Sequence, residues 1–113
     1  MRMPTNQPPI HPGEILLEEF IKPYGITPAE LSRRIGISHK EINAVINGKK
    51  AISTDMALRL SRLFGTSAEL WLSGQMKWDI WHRLHGEHVD ELEEIKPIEI
   101  PAFVAPTDMP ALL

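Results

Sequence analysis

The chain has no cysteine, which excludes a disulfide framework, a thiolate zinc site and a cysteine nucleophile. It also lacks any apolar run near the roughly 18 residues of a membrane span, so no membrane partner is expected. Met1 to Ile10 hold one arginine, three prolines and no apolar block, and do not read as a signal peptide. Neither a phosphate-cradling glycine loop nor a paired-carboxylate cleft can be placed. These absences argue against an enzyme, predict no cofactor and fit a cytoplasmic protein. What remains is 113 residues with 42% hydrophobic content, enough for one domain and one modest core.

The net charge of −3 looks unsuited to nucleic acid, but it is unevenly spread. Residues 26–62 carry seven Lys/Arg (Arg33, Arg34, Lys40, Lys49, Lys50, Arg59, Arg62) against three acids. Residues 87–113 carry seven acids against the single base Lys96. The middle can therefore make a local positive field that the tail hides in the total. Charge alone leaves open whether that field is a DNA-binding face or an ordinary solvated surface.

Capping signals divide the chain into helices. Pro12 suits a first helical turn, and Ile15, Leu16 and Phe20 repeat at helical spacing, with Pro23 expected to stop the helix. Thr27-Pro28-Ala29-Glu30 reads as a capping box opening a helix with Leu31 and Ile35 inward, ending at Gly36. Ser38-His39-Lys40-Glu41 is a second box, and its helix carries Ile42, Val45 and Ile46 inward to Asn47-Gly48. Ser53 or Thr54 caps a fourth helix that stops at Gly65. Thr66-Ser67-Ala68-Glu69 is a third box, opening a longer helix to about Gly86. Beyond it, Val89, Leu92 and Ile95 allow one or two weak turns. Ile98-Glu99-Ile100 alternates like a short strand, and four prolines keep the remainder extended.

Two short helices joined by Gly36-Ile37-Ser38 have the geometry of a helix-turn-helix. The small Ser32 lets the helices approach, Gly36 tolerates positive φ, and Ile37 locks the turn. The second helix buries one face and presents His39, Lys40, Asn43, Ala44 and Asn47 on the other.

Leu31 to Gly48, LSRRIGISHKEINAVING, resembles the Xre/Cro-type helix-turn-helix of phage repressors and bacterial regulators. Four further stretches narrow the resemblance: His11-Pro12-Gly13-Glu14, Asn47 to Ser53, Ala57-Leu58-Arg59-Leu60, and Phe64-Gly65-Thr66-Ser67 with Trp71-Leu72. Together they resemble HigA-type antitoxins over roughly residues 11–82. The resemblance implies an all-α, five-helix, lambda-repressor-like domain at 11–86 (motif 27–48). A flexible arm at 1–10 and an acidic, partly extended tail at 87–113 would flank it.

A reading head of this kind lies in the major groove with its N-terminal residues at base edges. Lys40 can donate to guanine O6 or N7, Asn43 can pair bidentately with adenine, and Ala44 can meet a thymine methyl. His39 reads a base or touches phosphate. Asn47, Lys49 and Lys50 are placed for phosphate, although Asn47 can equally act only as a helix end. Ser38 and Thr27 open the two helices beside the DNA backbone. Pro28 is a departure, because many Xre-type proteins use Gln or Ser there on a phosphate; Thr27 or Lys49 can substitute. Arg33 and Arg34 reach a phosphate or stay on the surface, while Arg59 and Arg62 support the fold or pair with acids. One such helix reads few base pairs, so a homodimer on a palindromic operator of double-stranded DNA is expected.

Trp71, Trp78 and Trp81 share one face of the long helix, with Leu72, Met76 and Ile80 down another. That arc is wide for one small domain. Trp71 is placed in the core, and Trp78 and Trp81 are divided between core and dimer interface. His82, His85 and His88 are read as surface histidines rather than a metal site.

The resemblance implies a further partner, a small basic HigB-type ribonuclease toxin, which the acidic residues 87–94 can meet. The proline-rich end (Ile98, Ile100, Phe103, Val104) can pair across a dimer, cover the tryptophan helix or dock on the toxin. Two functions compete: an antitoxin that represses its own operon, and a stand-alone Xre-family repressor without a toxin. A toxin-sized gene beside this one favours the first.

Overall fold

The computed structural model describes residues 7–99. Within them the chain forms six helices and no strand. The expected arm residues 1–6 and Ile100, Phe103 and Val104 lie outside the described residues; Ile98 and Glu99 are in no strand.

Helix α1 covers residues 12–24 without a break: an α-turn at Pro12–Ile15, a π-helical segment at Leu16–Ile21 and a final turn at Lys22–Tyr24. Pro23 does not stop it, contrary to the sequence expectation. The wider π turn, in which the Lys22 N–H reaches Leu17 O, gives a proline ring space that a tight α-turn denies it. The stop comes at Gly25, at φ 69°.

Helices α2 (Pro28–Ile35) and α3 (His39–Ile46) are separated by three residues. Thr27 accepts from the Glu30 N–H at 3.0 Å and Ser38 from the Glu41 N–H at 3.1 Å. Both boxes are only half formed, because the glutamates find cations instead of reaching back. Glu30 pairs with Arg34 at 2.8 Å and Glu41 with Lys50 at 3.4 Å.

Helix α4 is Thr54–Phe64, capped by Ser53, and α5 is Ala68–Leu84. The third box is displaced by one residue: Ser67 caps α5, and Thr66 instead accepts from the Trp71 indole N–H at 2.9 Å. The pull of a buried indole for an acceptor decides which hydroxyl is left to cap. Helix α6 (Val89–Glu93) is short, and Arg83 secures its start by donating to His88 O at 2.7 Å.

The core is one cluster to which every helix from α1 to α5 contributes. Leu16, Leu31, Ile42, Val45, Met56, Leu60 and Trp71 are all but fully buried. Helix α3 packs on α2 and α1, and α5 packs on α4 and α1. The second helix of the motif is thus held from two sides, with its remaining face outward.

Candidate nucleic-acid interface

The turn between α2 and α3 is fixed by four interactions. Gly36 takes φ 73° and its N–H reaches Ser32 O at 2.9 Å. The Ser32 hydroxyl donates to Ile37 O at 2.5 Å, so this residue does more than stay small. Ile37 is buried. Arg59, from α4, donates Nη1 to Ile35 O at 2.7 Å and Nε to Asp55 at 2.9 Å. A guanidinium at the end of α2 satisfies a carbonyl the helix leaves open and opposes its dipole.

Along α3, Ile42 and Val45 are buried, Ala44 and Ile46 are half-buried, and Ser38, His39, Lys40, Asn43 and Asn47 are exposed. Of the expected reading face, His39, Lys40, Asn43 and Asn47 form an exposed row, and Ala44 lies half-buried beside it. The side chains of His39, Lys40, Asn43, Asn47 and Lys49 make no hydrogen bond, ion pair or ring contact with any described residue. Thr27 stands exposed at the start of α2, with its oxygen engaged as a cap and its hydroxyl proton free to donate. Pro28 occupies the first turn of α2.

The loop after α3 is tethered along its length. Asn47 ends the helix, Gly48 takes φ 72°, and the Lys49 N–H reaches Ala44 O at 2.8 Å. Lys50 pairs with Glu41. Ile52 is buried, and its N–H donates to Gln75 Oε1 at 2.9 Å.

Three supports were not foreseen from the sequence. Gly13 faces the end of α3 so closely that a Cβ there would overlap the Val45 carbonyl. His11 caps α1, its Nδ1 accepting from the Gly13 N–H at 2.9 Å, and its ring sits edge-on to Trp78 at 4.9 Å. Burial lowers the His11 pKa from 6.5; the nearby Asp79 carboxylate opposes the shift and His82 adds to it. Gln75 is the third, buried between α5 and the loop. Its signal was available: an amide between Trp71 and Trp78 on an otherwise apolar face needs a polar partner.

Trp71 is 1% exposed, as expected. Trp78 and Trp81 are half-buried and packed against histidines of their own chain. Trp78 meets His82 at 4.0 Å, and Trp81 stacks on His85 at 3.9 Å. Among the described residues no three His, Cys, Asp or Glu side chains are grouped to hold a metal. None of the described helices is long and apolar enough to cross a membrane.

Comparison with known proteins agrees with this geometry. Residues 17–71 match the helix-turn-helix family HTH_3. Virulence-associated protein I of Dichelobacter nodosus is 42% identical over 76 residues, covering 67% of this chain and 70% of that protein. Antitoxin HigA-1 of Vibrio cholerae is 30% identical over 94 residues, covering 83% and 88%. Among solved structures, Pseudomonas aeruginosa antitoxin HigA with the higBA promoter superposes with a TM-score of 0.74 at 37% identity, covering 80% of this chain and 99% of that one.

Proposed function

Since the chain belongs to the HigA-type antitoxin family of Xre/Cro helix-turn-helix proteins, we propose that it is a sequence-specific DNA-binding antitoxin. In this reading it represses its own operon and neutralises a HigB-like ribonuclease toxin. The observation that carries the DNA-binding part is the exposed row on α3, polar side chains without partners among the described residues, over a buried, doubly supported face. Lys40 and Asn43 read base edges, His39 and Ala44 complete the reading face, and Ser38, Thr27, Asn47, Lys49 and Lys50 hold the backbone. Residues 11–86 carry the DNA-binding unit, and it acts without catalysis.

The chain acts as a homodimer. Met76, Ile80 and Leu84, four apart on α5, are 54%, 42% and 49% exposed and form an apolar stripe beside Trp81. A second copy can bury the same stripe, and the two reading heads of such a dimer meet half-sites about 34 Å apart or a multiple of it. The toxin reading rests on family membership, with the exposed acids of residues 87–94 offering a face to a basic partner.

The test is binding to the chain's own promoter at two salt concentrations, alone and co-purified with the neighbouring gene product. The expected result is salt-dependent, sequence-specific binding that the double variant Lys40→Ala/Asn43→Ala loses while its fold persists. Unchanged binding by that variant would remove α3 as the reading head. Absence of any toxic neighbour would leave a stand-alone repressor.

A further inference from the structure

The backbone N–H of Ile52 is buried inside the loop that carries Lys49 and Lys50, and no helix or sheet supplies it an acceptor. Gln75 Oε1 does so at 2.9 Å, across 23 residues of chain. The other end of the same amide donates Nε2 to Asp79 Oδ1 at 3.0 Å. The two bonds fix the orientation of the amide, since a backbone N–H only donates and a carboxylate only accepts. Asp79 thus turns the Gln75 oxygen toward the loop. Gln75 is 6% exposed, so water does not compete.

Between Lys49, whose N–H is bonded to the end of α3, and Ile52, bonded to α5, the chain has only two further residues. The height and path of the two lysines therefore depend on both tethers. We propose that Gln75, oriented by Asp79, is a positioning residue that holds the Lys49–Lys50 loop at the DNA backbone. Base reading by α3 is separate from it. The inference rests on the DNA-binding reading above and concerns only its phosphate contacts.

Two properties separate this from a plain packing role. Phosphate contacts release counterions, so their loss flattens the dependence of log affinity on log salt by roughly 0.9 per contact. They are also indifferent to sequence, so specific and non-specific binding weaken together.

The experiment uses the full chain and a duplex of its own promoter, with a random-sequence duplex as control, over a salt series. Gln75→Met keeps the bulk and removes both bonds. It is expected to weaken both duplexes by about 10-fold and to flatten the salt slope by about one contact. On a Lys49→Gln/Lys50→Gln background the same change is expected to cost less than about 2-fold, because the contacts it positions are already gone. Loss of equal size on both backgrounds, or an unchanged slope, overturns the inference.

A charge-balanced exchange covers the case in which Gln75→Met fails to fold. Gln75→Glu alone replaces the bond to Asp79 with a repulsion between two carboxylates while keeping an acceptor for the Ile52 N–H, and is expected to bind more weakly than the parent. Gln75→Glu with Asp79→Asn keeps an acceptor for the Ile52 N–H and restores the bond to residue 79 with donor and acceptor reversed, and is expected to return affinity and slope to within about 2-fold of the parent. Failure of the exchange to rescue overturns the inference too. If the unaltered chain does not prefer its promoter over random sequence at any salt, the DNA-binding reading fails first. If it does and Gln75→Met matches it, this inference alone fails.

Discussion

Gly13 and Val45 are in contact through backbone: the Cα of one lies where only a hydrogen fits against the carbonyl of the other. This contact seats α1 on the end of α3. Gly13→Ala is expected to force α1 and α3 apart and to cost about 2–3 kcal/mol, as overpacking against a backbone atom does. That corresponds to a fall in melting temperature of very roughly 10 °C for a domain of this size, read by circular dichroism. A variant melting with the parent would show that the two helices are not locked here.

Arg59 makes two bonds of different kinds. The one to Ile35 O ends α2 and supports the turn, whereas the one to Asp55 is an exposed ion pair. Arg59→Met is expected to lose about 1–2 kcal/mol in urea unfolding. Asp55→Asn should lose less than about 0.5 kcal/mol. Equal losses would mean that the ion pair, not the helix end, is what the arginine contributes.

The capping serines and their glutamates should also separate. Ser38→Ala is expected to cost about 1 kcal/mol and Ser38→Asp to be tolerated, because only an acceptor for the Glu41 N–H is required. Glu41→Gln should change stability little, since Glu41 does not return to the cap. A large loss with Glu41→Ala, which removes the acceptor that Gln would keep, would restore the reciprocal box.

His11 gives stability a pH dependence of definite sign. Burial holds its folded pKa below 6.5, so the unfolded chain takes up the proton first. Its contribution is complete above about pH 6.5 and is lost as the pH falls through that value toward the lower folded one. A protonated Nδ1 also no longer accepts from Gly13. Urea unfolding at pH 7.5 and 5.5 should show the decline, and His11→Asn, which keeps a capping acceptor, should flatten it. A decline equally steep in that variant would place the titration outside His11.

Much of the architecture was legible because local signals agreed with one another. Ser38, Gly36, Ile42 and Val45 each announce one part of the motif, and each lies where its chemistry requires. Pro23 misleads because an apolar repeat implies α-helical period throughout, and a π turn is invisible to such a pattern. The box at Thr66 misled because two adjacent hydroxyls can cap, and the choice depends on an indole five residues on. Gly13 was unreadable as a support, since it acts on a residue far along the chain and carries no local signature of it; Gln75 shows in the sequence that it needs a polar partner but not which one, since that partner lies 23 residues away. The exposed polar row on α3 was legible for the opposite reason: all of it is local to one helix.

On the proposed reading, the side chains of His39, Lys40 and Asn43, unpartnered among the described residues, set apart the face that spells an address from the scaffold that holds it. Substitutions there disturb no bond that the fold depends on. A lineage can therefore rewrite which promoter it occupies without first having to restabilise the protein, and an engineer can exchange those few letters on an otherwise untouched frame.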